Sequence, residues 1–135
     1  MAKGQNSQKT IQLSKVDSLI QTTDTISVSF DRMKKLVTYA GKMRYTKQSR
    51  KLIEKAIKIS KESKNPELLA NVYYSLGNWY YYNAELDSSM VTIDKAMGFV
   101  KKDEPSFILS SILATKGGIY QQKDKVSESI EYTIE

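Results

Sequence analysis

Residues 65–102, NPELLANVYYSLGNWYYYNAELDSSMVTIDKAMGFVKK, carry two apolar runs at helical spacing with a three-residue break between them. In the first run Leu69, Val72, Tyr73, Leu76 and Tyr80 recur every three or four residues; in the second Leu86, Met90, Ile93, Met97 and Val100 do the same. That period describes one buried face of an α-helix. The start of the first helix is marked three times over. Asn65 is a capping residue, Pro66 suits the first helical position, and Glu67 favours the positive end of the helix dipole. Asn83, Ala84 and Glu85 then interrupt the stripe without a proline. A link this short forces the two helices antiparallel, so the stretch predicts a helical hairpin.

Gly77 on the first helix and Ser89 on the second are both small, which lets two backbones approach closely where they cross. The same residue types return forty positions away: Gly117, Tyr120 and Ser129 follow Gly77, Tyr80 and Ser89, while Ser49, Ile53 and Ala56 precede Ser89, Ile93 and Ala96. At Tyr73, Leu76, Gly77, Tyr80, Ser89, Ile93 and Ala96 the pattern resembles the tetratricopeptide repeat. The resemblance extends over about residues 25–135. It implies an all-α fold, a right-handed α-solenoid of antiparallel helix pairs with about three repeats, at 25–64, 65–102 and 103–135, the last incomplete. A unit of forty exceeds the roughly thirty-four of the commonest such repeat, so the helices should be about a turn longer.

Residues 1–24 read as a polar tail and a short helix, with Val16, Leu19 and Ile20 on one face, that caps the first repeat. Asp24 or Thr25 is expected to open the next helix, which places Ile26, Phe30, Met33, Val37 and Ala40 inward. Val37 stands where the later repeats have glycine, which predicts wider spacing in this pair. After a turn within 41–46, a second helix puts Leu52, Ile53, Ala56, Ile57 and Ile59 inward and Arg50, Glu54 and Lys58 outward, ending at Lys64. Repeat three is expected to open at Asp103, Glu104 and Pro105, to carry Ile108, Ile112, Ile119 and Tyr120 inward, and to turn at Lys123 and Asp124. A last helix with Val126, Ile130 and Ile134 inward then breaks off within the repeat. With no polar cap on it, that end suggests a longer protein or a face that pairs with a second copy.

Composition removes several kinds of chemistry. The chain has no cysteine and no histidine, so thiol nucleophiles, disulfides, imidazole bases and the usual zinc ligand sets have no residues to work with. No phosphate-binding glycine loop, nucleophile elbow or calcium loop is present. The expectation is a chain without catalytic residues, metal site or cofactor. No apolar run approaches the eighteen or so residues of a membrane span. The N-terminus has no secretory pattern, which leaves the compartment open between the cytoplasm and, if an export signal has been removed, the periplasm.

The net charge of +6 is unevenly placed: residues 32–64 carry +10 and residues 65–135 carry −4. An acidic partner or nucleic acid at repeat one would use that asymmetry. Lys47, Lys51, Lys55 and Lys58 also suit a solvated helix face, the favoured reading without interleaved aromatics. Head-to-tail attraction between copies is a third reading.

The cluster of Tyr73, Tyr74, Trp79, Tyr80, Tyr81 and Tyr82 is dense. Tyr73 and Tyr80 lie on the apolar stripe. Asn71, Tyr74, Asn78, Tyr81 and Tyr82 lie on other faces, which in proteins of the resembled family line a concave groove. The alternative for these rings is packing between repeats. The groove positions of repeat one would include Lys34 and Thr38, and those of repeat three Ser111, Ala114, Gly118, Gln121 and Gln122. The groove assigned to ligand is thus Asn71, Tyr74, Asn78, Tyr81, Tyr82, Lys34 and Gln121. Some family members clamp a partner's terminal carboxylate with lysines and asparagines. Here Lys34 holds one such place, but Thr38, Ser75, Ser111 and Thr115 occupy the others, so that clamp is broken. The resemblance implies a non-enzymatic protein- or peptide-binding scaffold, like the sensory or interaction regions of bacterial signalling and transcription-regulatory proteins. Dimerisation through the last helix is the alternative, and nucleic-acid binding through repeat one the second.

Overall fold

The computed structural model describes residues 15–24, 29–103 and 106–134, the side chains of 21–24, 29 and 128–134 excepted. The described residues form helices and turns, with no strand among them. Six α-helices follow in order: α1 (Lys15–Asp24), α2 (Ser29–Lys42), α3 (Arg50–Ser63), α4 (Pro66–Tyr82), α5 (Leu86–Met97) and α6 (Phe107–Ile134), with a 3-10 turn at Lys47–Ser49 before α3. The predicted Thr25 and Ile26 lie outside the described residues.

Each helix from α1 onward packs on the next, and α1 on α3, α2 on α4 and α4 on α6 also touch. Helix α4 is therefore flanked on both sides. This explains why it buries more than its predicted stripe: Leu68, Ala70, Ser75 and Trp79 join Val72, Tyr73 and Leu76 in the interior, while Leu69 and Tyr80 are only half-buried. One core runs from Met33, Leu36 and Ala40 through Leu52, Ile53, Ala56 and Ile59 to Ile93, Ala96, Ile112 and Ile119. Val16, Leu19 and Ile20 of α1 pack against it.

The hairpin of α4 and α5 forms where its residues predict. The Asn65 side chain accepts from the Glu67 N–H at 2.9 Å, closing the cap. The turn uses Ala84 at a left-handed φ of 61°. Where the helices cross, a β-carbon added at Gly77 would lie 2.4 Å from Ile93 Cδ1. The Ser89 hydroxyl donates to the Gly77 carbonyl at 2.8 Å. Two small residues thus give van der Waals contact and a buried hydrogen bond at one crossing. The first pair lacks this device: Ser49 donates within its own turn, to the Thr46 carbonyl at 2.6 Å.

Four expectations are corrected. Tyr120 and Val126, expected inward, are 56% and 52% exposed, because α6 packs on α5 and α4 through the face of Ile112 and Ile119. No turn forms at Lys123 and Asp124, because α6 is one helix from Phe107 to Ile134. The Ile112, Ile119, Val126 spacing carries one apolar stripe through the expected turn, and residues 123–125 hold no helix breaker. Lys123 instead reaches back to Asp87 on α5 at 2.6 Å. Gly117 consequently has nothing within 4 Å of a would-be β-carbon, so the crossing seen at Gly77 is not repeated. The start of α6 is capped by Ser106, whose hydroxyl accepts from the Leu109 N–H at 3.2 Å, rather than by Asp103; Glu104 and Pro105 lie outside the described residues. Arg50 is half-buried rather than fully outward, with its Nε 3.4 Å from Glu54. Its guanidinium lies 4.7 Å from the Trp79 ring centre and 5.0 Å from that of Tyr80, and donates to the Tyr80 hydroxyl at 3.1 Å. A planar cation on two aromatic faces is favourable when partly desolvated.

Candidate functional site

The turn after α2 is the least ordinary piece of backbone. Arg44 and Tyr45 are consecutive non-glycine residues with φ of 55° and 52°, each at a cost of roughly 1–2 kcal/mol. A side chain of α4 and that of its C-cap residue hold the turn in that shape. Trp79 Nε1 donates to the Thr46 carbonyl at 2.9 Å, and Asn83 Nδ2 donates to the Tyr45 carbonyl at 2.9 Å. The turn's own Tyr45 N–H reaches the Ala40 carbonyl at 3.1 Å. The result is that the Tyr45 ring is carried over the C-terminal end of α4, where it stacks on Tyr82 at 5.3 Å and 15°. Tyr82 in turn meets Tyr81 edge to face at 5.6 Å.

These rings form one wall of a groove of about 410 Å³, within the size range of ligand pockets. Tyr74, Asn78, Tyr81 and Tyr82 come from α4, Tyr45 from the turn, and Ser111, Ala114, Thr115 and Gly118 from α6. The α4 residues fall at intervals of four, three and one, so they share one helix face. On α6 the lining side chains are no larger than threonine. Burial raises the Tyr45 phenol above its ordinary value of 10.0; a hydrogen bond from Asn78 opposes this, and Tyr74 and Tyr82 add to the rise. No carboxylate, ammonium or guanidinium lines the groove. It can stack, exclude water and exchange neutral hydrogen bonds.

Of the seven residues assigned to the groove from sequence, Tyr74, Asn78, Tyr81 and Tyr82 come together here. Lys34 is exposed on α2 and Gln121 exposed on α6, neither among the lining residues. Asn71 lies a turn before Tyr74, and its amide donates to the Glu67 carbonyl of its own helix at 2.8 Å. Tyr45 was not foreseen. Its place depends on a strained turn tied by hydrogen bonds from residues 33 to 38 positions away, and no local pattern announces it. Ser111, Ala114 and Gly118 line the groove at the positions the forty-residue register gives them.

A second pocket of about 490 Å³ lies between the starts of α4 and α6 and the Phe99–Lys101 turn. Its Asn65 side chain is occupied in capping α4. Among the described residues no cluster of acidic side chains is arranged to hold a metal, and no helix is long and apolar enough to cross a membrane.

No family model and no solved structure matches the chain. Response regulator aspartate phosphatase A of Bacillus subtilis is 26% identical over 90 residues, which cover 67% of this chain and 24% of that protein. The chain spans about a quarter of the relative's length. The similarity is compatible with a protein-interaction role in signalling. Because the relative is named as a phosphatase, it lends no support to the expectation of a chain without chemistry, and it singles out no catalytic residue.

Proposed function

We propose that this chain is a non-enzymatic scaffold whose helices stack as a tetratricopeptide-like right-handed solenoid and whose tyrosine-lined groove binds a segment of a partner protein. Its setting would be the interaction region of a bacterial signal-transduction or transcription-regulatory protein. The observation that carries the reading is the convergence of four tyrosines and Asn78, from α4 and a strained turn, opposite a wall of small residues on α6. Tyrosine offers large contact area at low side-chain entropy cost together with a polar tip. Holding the rings in place before binding reduces what association must spend on ordering them. The similarity to a response regulator phosphatase supports the signalling context.

Selection of a random peptide library on the immobilised chain tests the reading. Binders should be recovered that Tyr81→Ala and Asn78→Ala release, with the helical circular dichroism of both variants intact. Recovery of no binder, or of binders indifferent to both substitutions, contradicts it.

One observation favours self-association as a second reading. Leu113, Gly117 and Tyr120 share a face of α6, with Leu113 53% and Tyr120 56% exposed and Gly117 open. Light scattering across a range of concentrations decides it: a dimer abolished by Gly117→Leu supports it, and a monomer at every concentration removes it.

A further inference from the structure

The groove's chemistry narrows what it can bind, granted the preceding reading that it binds a protein segment. Its polar groups are phenol and alcohol hydroxyls and one carboxamide, all uncharged. A site built for a terminal carboxylate, a phosphate or an acidic side chain would present lysine or arginine, and this chain has 21 of them, none in the lining. A charged ligand group would lose its hydration there with no opposite charge to compensate.

The spacing is informative as well. Tyr74 and Tyr81 are seven residues apart on α4, which at 1.5 Å per residue separates them by about 10.5 Å along the helix axis. A polyproline II helix has three residues per turn and a rise of 3.1 Å, so it repeats every ~9 Å. Prolines three residues apart would therefore each meet one of the two rings. Asn78 lies between those rings on the same lining. Main-chain carbonyls in polyproline II have no internal partner, and a carboxamide or a phenol hydroxyl can donate to them. A proline-rich segment has few main-chain N–H donors of its own to satisfy, which suits a groove rich in hydroxyl donors. On the opposite wall the small side chains of Ser111 and Ala114 face Tyr74, whereas at Gly118 the Tyr81 hydroxyl already stands 3.7 Å from a would-be β-carbon. Tyr45 stacked on Tyr82 stiffens the end of the wall. A preformed ligand helix meeting preformed rings loses little conformational entropy on binding.

We propose that the groove takes an uncharged proline-rich segment of a partner protein in the polyproline II conformation, with P-x-x-P spacing. One proline rests on Tyr74 and the next on Tyr81, and a main-chain carbonyl between them accepts from Asn78.

Calorimetric titration of the full chain tests this with three probes: a short neutral P-x-x-P peptide, the same peptide with both prolines replaced by alanine, and a P-x-x-P peptide flanked by acidic residues. The neutral proline peptide should bind, and the alanine peptide should bind at least roughly tenfold more weakly, a difference of about 1.4 kcal/mol. Binding of the neutral peptide should be nearly independent of salt, because no exposed ion pair forms. Tyr74→Ala and Gly118→Leu should each abolish it. A β-carbon at Gly118 would lie 3.7 Å from the Tyr81 hydroxyl, so leucine there fills the groove against that ring, and an unchanged helical circular dichroism and urea midpoint in both variants separate loss of binding from unfolding.

Equal affinity for the alanine peptide, or a strong preference for the acidic one that salt removes, overturns the proline assignment. If the random library nevertheless yields groove binders without proline, the peptide-binding reading stands and this inference alone fails. If no peptide binds and a neutral oligosaccharide such as maltohexaose does, both fall.

Discussion

Asn83 donates one amide hydrogen to the Tyr45 carbonyl at 2.9 Å and another to the Trp79 carbonyl of its own helix at 2.7 Å. This one side chain joins the end of α4 to a turn 38 residues earlier in the chain. It links the strained backbone at Arg44 and Tyr45 to the helix that supplies the rest of the aromatic wall.

Replacing Asn83 by Ala should therefore damage the groove more than the fold. Loss of the two bonds is expected to cost about 1–3 kcal/mol, seen as a lower urea midpoint. Peptide affinity should fall further than that of a variant equally destabilised elsewhere, such as Ile59→Val, because Tyr45 is released. Equal losses in the two variants would mean that the turn does not organise the groove.

The two equivalent glycines should respond oppositely to the same substitution. At Gly77 a leucine must displace the fully buried Ile93, an overpacking that costs typically 1–3 kcal/mol and sometimes more. At Gly117 nothing stands within 4 Å, and leucine should stabilise α6 by up to roughly 1 kcal/mol through helix propensity. Thermal unfolding of Gly77→Leu and Gly117→Leu checks both signs.

Alkaline pH should weaken the fold through Tyr45. Burial raises its folded value above the ordinary 10.0, so on raising the pH the unfolded chain ionises first. Its contribution is full below the unfolded value and is lost as pH rises through the folded one. The urea midpoint should begin to fall as pH rises past the ordinary value of 10.0 and keep falling until the folded phenol ionises, and Tyr45→Phe should fall less steeply. Parallel curves for the two proteins would remove Tyr45 as the cause.

Two ion pairs fasten α6 to α5, Lys116 to Asp94 at 2.8 Å and Lys123 to Asp87 at 2.6 Å. The hydrogen bond from Lys123 holds the Asp87 carboxyl below its ordinary 3.8, so the attachment is present above that value and is lost as pH falls through the lowered one. Asp87→Asn combined with Asp94→Asn should speed amide hydrogen exchange in residues 116–125 and leave the α2–α4 core unchanged. High salt should do the same to the unmodified chain, since exposed pairs are screened.

The hairpin at 65–102 was readable because each of its signals is local and singular. A cap, a first-turn proline, two stripes and a three-residue break admit one arrangement, and the Gly77 and Ser89 pair places the crossing. The end of the chain misled for the converse reason. The register that aligns Gly117 with Gly77 also predicted a turn at Lys123 and Asp124, yet neither residue breaks a helix and both lack what Asn83 supplies at the true turn, an amide bonded to the Trp79 carbonyl and to a distant loop. Arg50 read as solvent-facing because its aromatic partners lie about thirty residues on. In the groove, the α4 and α6 residues follow from helical faces, whereas Tyr45 depends on a backbone conformation that sequence pattern does not reveal.

Amide-resolved NMR of the isotope-labelled chain, titrated with a neutral P-x-x-P peptide, tests the assignment of the groove most directly. The account predicts shift changes confined to residues 74–82, 111–118 and the turn around Tyr45. Changes centred instead on Asn65–Glu67 and Phe99–Lys101, or on the outer face of α6 at Leu113 and Tyr120, would contradict it.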